Sequence, residues 1–178
     1  NGDYHLNEIR KRESIKKIKK KKLIKTGYFY FDYLKQRMNT QIVANEVLIA
    51  PSWNYNQGNF INENFEEIIQ SVLDKGFNVR FRPHPEIFKR SPMIIDNIKK
   101  KFSNKNFILD ENSENLNSME NAKCLITDNS GIAIEFLLLF KKPVLYFENC
   151  EKIHNTEFNQ YSDLITIDQK VKESFGYT

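Results

Sequence analysis

Cysteine, glycine, proline and tryptophan are all scarce in this chain: two, six, five and one among 178 residues. Two cysteines, Cys124 and Cys150, provide no disulfide framework and no metal-ligand spacing, which favours a reducing, cytoplasmic setting. Apolar runs are short. The longest, residues 132–140, is interrupted by Glu135 and falls far below the ~20 residues that span a bilayer. No signal peptide is visible at Asn1. There is no Walker loop, GxGxxG, HExxH or CxxC. The acidic residues form no pair that points to general acid–base work or to a metal.

What is present describes a folded α/β protein. Hydrophobic residues make up 40% and charged residues 28%, a globular balance. The length fits one domain, or one domain with a piece of another. The net charge of +4 is unevenly spread, because ten basic residues between Arg10 and Lys25 are opposed only by Glu13. Such a block reads as a solvated helix face or arm, or as a contact for an anionic membrane surface. Aromatic residues are not interleaved with it, so no nucleic-acid partner is expected.

Composition changes near residue 45. Residues 1–44 read as a basic helical segment (a helix around Asn7–Lys22) and a linker from a domain outside this chain. Residues 45–178 read as one Rossmann-like domain. Apolar runs at 47–50, 107–109, 124–127, 143–147 and 164–167, and an alternation of apolar and polar residues at 77–82, read as strands. Helical spacing at 62–75, 91–102, 113–122 and 131–140 separates them, with Pro92 suited to a first helical turn. Strands apolar throughout, alternating with helices, predict a parallel sheet with helices on both faces.

Ligands of such sheets bind beyond the carboxyl ends of the strands. The residues there are Pro51-Ser52-Trp53, Arg82-Pro83-His84-Pro85, Thr127-Asp128-Asn129-Ser130-Gly131 and Phe147-Glu148-Asn149. Two prolines stiffen the backbone around His84, presenting an imidazole and the Arg82 guanidinium to a phosphate or developing anion. Ser130 reads as the N-cap of the next helix, with Gly131 opening its free N–H groups to a diphosphate. Glu135, in the second turn of an apolar helix, wants a partner, and vicinal ribose hydroxyls are a suitable one. Trp53 and Tyr55 either stack on a ligand or pack a loop. His5 and His154 read as surface residues.

The order of these motifs resembles the CDP-glycerol glycerophosphotransferase family, which builds teichoic acids and related capsular polymers. The resemblance runs from about Leu23 to Phe147 and includes Lys25-Thr26-Gly27-Tyr28 with Asp32, and Lys142-Pro143-Val144. It implies a GT-B architecture, of which this chain would be the C-terminal, donor-binding half. By that resemblance His84 acts at the donor phosphates as the catalytic residue. Arg82, Thr127, Asn129, Ser130 and Gly131 hold the diphosphate, and Glu135, Trp53 and Ser52 lie near the nucleotide. Asn129-Ser130-Gly131 replaces the family's tyrosine-serine-serine, and Asn54 stands where the family has arginine.

The resemblance further implies a CDP-glycerol donor, a polymer or lipid-linked acceptor, and peripheral attachment at the inner face of a membrane. No cofactor and no metal are expected. The acceptor hydroxyl would attack phosphorus with CMP leaving, a general base coming from the other domain. The chain alone is then expected to bind nucleotide without turning over. UDP-N-acetylglucosamine 2-epimerases and capsule sugar transferases share parts of the pattern, so a nucleotide-sugar enzyme is one alternative. A non-catalytic α/β binding module is the other.

Overall fold

In the computed structural model, which describes residues 2–39, 45–53, 61, 65–103, 106–147 and 155–177, two helices precede the sheet: α1 (Asp3–Ile15) and α2 (Phe29–Arg37). Strands and helices then alternate: β1 (Glu46–Ile49), α3 (Phe65–Asp74), β2 (Asn78–Phe81), α4 (Pro85–Arg90), α5 (Pro92–Phe102) and β3 (Phe107–Leu109). The second half holds α6 (Leu116–Asn121), β4 (Ala122–Thr127), α7 (Ile132–Phe140), β5 (Val144–Tyr146), a 3-10 turn (Phe158–Tyr161), α8 (Ile167–Phe175) and β6 (Gly176–Tyr177).

All strand pairs are parallel, in the order β3-β2-β1-β4-β5-β6. β1 is central, with Leu48 level with Arg80 of β2 and Leu125 of β4. Successive β1 side chains serve opposite faces, as the pleat requires. Val47 and Ile49 join Phe65, Ile69, Phe81, Ile98 and Phe102 on one side. Leu48 and Ala50 join Met119, Leu125, Phe136 and Val144 on the other. Helices cover both faces, as the apolar strands predicted. The connection from β3 to β4 carries the chain back past β1 and makes the topological switch point between β1 and β4.

The N-terminal region departs from expectation. α1 stops at Ile15, well short of Lys22, because like charges three and four residues apart repel along a helix. Buried Glu13 then gathers the chain: it accepts from Arg10 Nη1 (2.6 Å) and from the Lys21 backbone N–H (2.7 Å). Lys11 pairs with Asp163 and Lys16 with Glu157, tying α1 to the region of the 3-10 turn. The aromatic stretch of α2 forms an unanticipated helix because Leu34, 2% exposed, enters the α7-side core with Tyr30 and Phe31 beside it.

Two further corrections concern the sheet and its loops. Leu164–Thr166 has no regular structure, and Ile167 begins a helix whose Val171 is buried four residues on. Helical spacing therefore overrides a short apolar run, and the edge strand is Gly176–Tyr177 against β5. α4 was not anticipated either, Pro85 occupying its first turn. The long loop carrying Asn54, Tyr55 and Gly58, and also Glu148, Asn149, Cys150 and His154, lie outside the described residues. No helix among the described residues is long and apolar enough to cross a membrane.

Candidate functional site

Three successive strand ends and a helix start surround one cavity of about 540 Å³. Its walls are Ala50 and Pro51 after β1, Arg82 to Pro85 after β2, Asp110 to Ser113 and Asn115 after β3, and Ser130 and Ile132 at α7. Tyr30 of α2 and Phe88 and Lys89 of α4 complete it. This is where a parallel sheet of this order is expected to hold a ligand.

His84 is exposed and stands at the N-cap of α4, its Nδ1 accepting the Glu86 backbone N–H at 3.2 Å. That bond assigns the proton of the neutral imidazole to Nε2, the nitrogen able to donate to an anion. Buried Pro83 and the bond from the Arg82 N–H to the Ile49 carbonyl (2.9 Å) fix the loop beneath it. The Arg82 guanidinium donates through Nη2 to the Ser113 carbonyl (3.3 Å), while Nη1 lies 3.3 Å from Asp110 Oδ1. Burial raises the Asp110 carboxyl, but Ser118, Asn112 and Arg82 together outweigh it and hold the group below its ordinary value.

At α7 the helix begins at Ile132 with Gly131 at the cap position, so Ser130 does not cap by its side chain as anticipated. The Ser130 carbonyl instead accepts the Ala133 N–H (3.1 Å), and its own N–H donates to the Asp128 carbonyl (2.9 Å). The N–H groups of Gly131 and Ile132 have no backbone acceptor among the described residues. A Cβ added at Gly131 meets nothing within 4 Å, so the approach to these donors is open. Asn129 is exposed beside them.

Glu135 falls in the first turn of α7, not the second. The Tyr28 hydroxyl donates to its Oε1 (3.0 Å) and the Asn115 amide to its Oε2 (2.9 Å). Burial first, then the bonded carboxylate, push the Tyr28 hydroxyl above its ordinary value, so it remains a donor at neutral pH. The carboxylate is thus held from both sides, and Glu135 reaches the cavity only through Asn115, since it does not itself line the wall.

Other anticipated ligands point elsewhere. Thr127 is fully buried and its hydroxyl donates to the Ala50 carbonyl (2.6 Å). Ser52 is buried against Asp128. Trp53 packs against the β1–β2 core face with the Arg90 guanidinium 5.6 Å from its ring centroid. None of these three lines the cavity, whereas Arg82, His84 and Ser130 do. Asp110, Asn115 and Tyr28 were not anticipated. Asn115 and Asp110 follow β3, and their place beyond the carboxyl end of a parallel strand is the sequence signal that marks them.

Two cavity residues carry buried side-chain atoms without a hydrogen-bond partner among the described residues, Arg82 Nη1 and Asn115 Oδ1. One is a donor and the other an acceptor, buried polar atoms of the kind that folded proteins pair with a ligand or an ordered water.

The family model for CDP-glycerol:poly(glycerophosphate) glycerophosphotransferase matches residues 8–166. The chain belongs to this family. Its members are transferases, and the match extends beyond the stretch in which the motifs were recognised. Among solved structures, this chain aligns with the E. coli heptosyltransferase WaaC bound to ADP-2-deoxy-2-fluoro heptose at a TM-score of 0.50. Identity is 12%, over 77% of this chain and 42% of that one, and the likeness is one of fold alone. The wall teichoic acid polymerase TagF soaked with CDPG aligns at 0.40, with 21% identity over 67% of this chain and 27% of that one. The β-Kdo 2,7 transferase KpsC of Thermosulfurimonas dismutans aligns at 0.39, with 15% identity over 66% and 38%. The chain therefore spans less than half the length of each of these three. No curated protein matches.

Proposed function

We propose that this chain is the donor-binding half of a transferase that takes a CDP-activated donor of the CDP-glycerol type. The intact protein passes glycerol phosphate to a cell-surface polymer acceptor. Family membership supports the reaction class. The observation that carries the site is the cavity itself, which gathers Arg82, His84 and Ser130 from separate strand ends and leaves Arg82 Nη1 and Asn115 Oδ1 without a hydrogen-bond partner among the described residues.

In this reading the diphosphate lies across the open start of α7, where the N–H groups of Gly131 and Ile132 and the Ser130 hydroxyl meet its oxygens. Arg82 and the Nε2–H of His84 face the same oxygens from the β2 side. The acceptor oxygen attacks the phosphorus bearing glycerol, the bond from that phosphorus to the bridging oxygen breaks, and CMP departs with the bridging oxygen. The acceptor proton passes to a base on the domain outside this chain. Positioning and charge neutralisation supply most of the acceleration in such displacements. Glu135 takes the ribose. The lysines beyond α1 rest on an anionic membrane, where lipid-linked acceptors are found.

The test is thermal unfolding of the chain with CDP, CDP-glycerol, UDP and UDP-N-acetylglucosamine, for wild type, His84→Ala and Ser130→Ala. A ligand at about 100 times its Kd adds roughly 2.7 kcal/mol, several degrees for a chain of this size. Cytidine-selective stabilisation, weakened by both substitutions, is the expected result. A uridine preference would move the protein to nucleotide-sugar chemistry. Indifference to all four, in the chain and in the intact protein, would leave a binding module of another kind.

A further inference from the structure

The carboxylate behind Arg82 is more elaborately held than a folding role requires. Asp110 follows β3, its N–H donating to the Phe81 carbonyl at 2.8 Å, and its side chain is wholly inaccessible. Oδ1 accepts the Asn112 backbone N–H (3.1 Å) and the Asn112 amide (2.9 Å). Oδ2 accepts the Ser118 hydroxyl. A buried ionised carboxylate is costly to keep unless it is both paired and hydrogen-bonded, and a site that needed only filling would hold an apolar side chain.

Two guanidiniums approach this carboxylate, and they are not equivalent. Arg80 Nη1 is 3.9 Å from Oδ2, but Arg80 is already matched by Glu46, which it grips through Nε (2.6 Å) and Nη2 (3.1 Å). The remaining charge of Asp110 is therefore directed at Arg82, 3.3 Å away. Arg82 is held at a second point by the Ser113 carbonyl. Both anchors belong to the loop after β3. The Asp110 contact makes no hydrogen bond with Nη1, a buried atom that has no hydrogen-bond acceptor among the described residues, on a side chain that lines the cavity.

Resting on the donor reading above, we infer that Asp110 is the positioning residue of the donor site. It fixes the Arg82 guanidinium in one orientation, so that an N–H meets the donor phosphate oxygens, and it touches no donor atom itself. Arg82 held only by its own torsions would have to be ordered by each incoming ligand, and affinity would fall accordingly.

The test compares wild type, Asp110→Asn, Arg82→Ala and the double variant. Asn112→Ala is added as a milder change that removes the side-chain amide donor to the Asp110 carboxylate, keeps the backbone donor and leaves the core intact. The first readout is arginine side-chain NMR of the ligand-free chain. Restricted rotation should give wild type separate Arg82 Nη signals, which merge in Asp110→Asn. The second is calorimetric titration with CDP-glycerol. Arg82→Ala and Asp110→Asn should each weaken binding by roughly 10-fold or more, as expected for a charge-assisted bond, with the double variant no worse than either. Asn112→Ala should weaken it a few-fold. Unchanged Arg82 signals in Asp110→Asn overturn the inference whatever the donor does. So do additive losses, or a Kd indifferent to Asp110→Asn and Asn112→Ala. A wild-type chain and intact protein that bind no CDP-glycerol bring down the donor reading instead, and the positioning role with it.

Discussion

Ser52 gives both of its hydrogen-bond donors to Asp128: the backbone N–H to Oδ1 and the hydroxyl to Oδ2, each at 2.7 Å. The pair joins the carboxyl ends of β1 and β4 at the switch point, and both residues are buried. Charge-assisted bonds of this kind contribute about 1.5–3 kcal/mol each. Asp128→Asn should therefore lower the thermal midpoint by roughly 5–10 °C, followed by circular dichroism. Ser52→Ala should have a smaller effect, and the two should not add.

The two nitrogens of His84 do different work, and substitution separates them. His84→Ala removes the α4 cap together with the imidazole, and should cost about 1 kcal/mol of stability along with donor affinity. His84→Asn keeps an acceptor at the cap. It should recover the stability in chemical denaturation while leaving CDP-glycerol binding and turnover of the intact protein impaired. Full recovery of both would reduce His84 to a cap.

Asp110 has a signature in acid. Its folded carboxyl lies below the ordinary value, so between the folded value and about 3.9 the unfolded chain binds more protons. The stabilisation is complete above that range and is lost as pH falls through the folded value. Stability of Asp110→Asn relative to wild type, measured by urea unfolding, should therefore improve steadily as pH falls below about 4. A gap that stays constant in that range would remove the carboxylate's charge from the account.

Glu135, held by Tyr28 and Asn115, should read the ribose. Wild type is expected to prefer CDP over 2′-deoxy-CDP by roughly 3- to 10-fold, the worth of one hydrogen bond, and Glu135→Gln should narrow that preference. Tyr28→Phe should shift stability by under about 0.5 kcal/mol, since Tyr28 is exposed, yet weaken discrimination between the two sugars. Calorimetry with both nucleotides checks this.

The basic segment is tested with vesicles. Lys17, Lys19, Lys20 and Lys22 are exposed, and changing all four to Gln should abolish co-sedimentation with phosphatidylserine-containing vesicles in low salt. Thermal stability should hardly change. Equal sedimentation of both proteins would end the membrane reading.

Much of the sheet was legible because a strand buried on both faces has little freedom of composition. Val47-Leu48-Ile49 and Leu125-Ile126 are runs with no polar alternation, and all five are buried here. Strand ends followed, and with them Arg82, His84 and Ser130. Local sequence fails where a distant partner decides. α2 reads as irregular aromatic sequence until Leu34 has the α7-side core to enter. Residues 164–167 read as a strand until Val171 is buried and draws Ile167 into a helix, leaving 164–166 irregular. Thr127 looks like a phosphate ligand and Ser52 like a nucleotide contact at the right strand ends, but their hydroxyls turn inward to Ala50 and Asp128. Only the register between β1 and β4 dictates that.

That register also governs the order of assembly. β1 pairs on one side with β2 and on the other with β4, Leu48 meeting Leu125 across a long intervening stretch of chain. The β1–β2–β3 half closes over shorter loops and can form early, while the β1–β4 seam must wait for the longest closure and its entropy. The α7 wall of the cavity is delivered by that last step. Nucleotide affinity should therefore appear with the slowest refolding phase, and a chain ending before β4 should retain none of it.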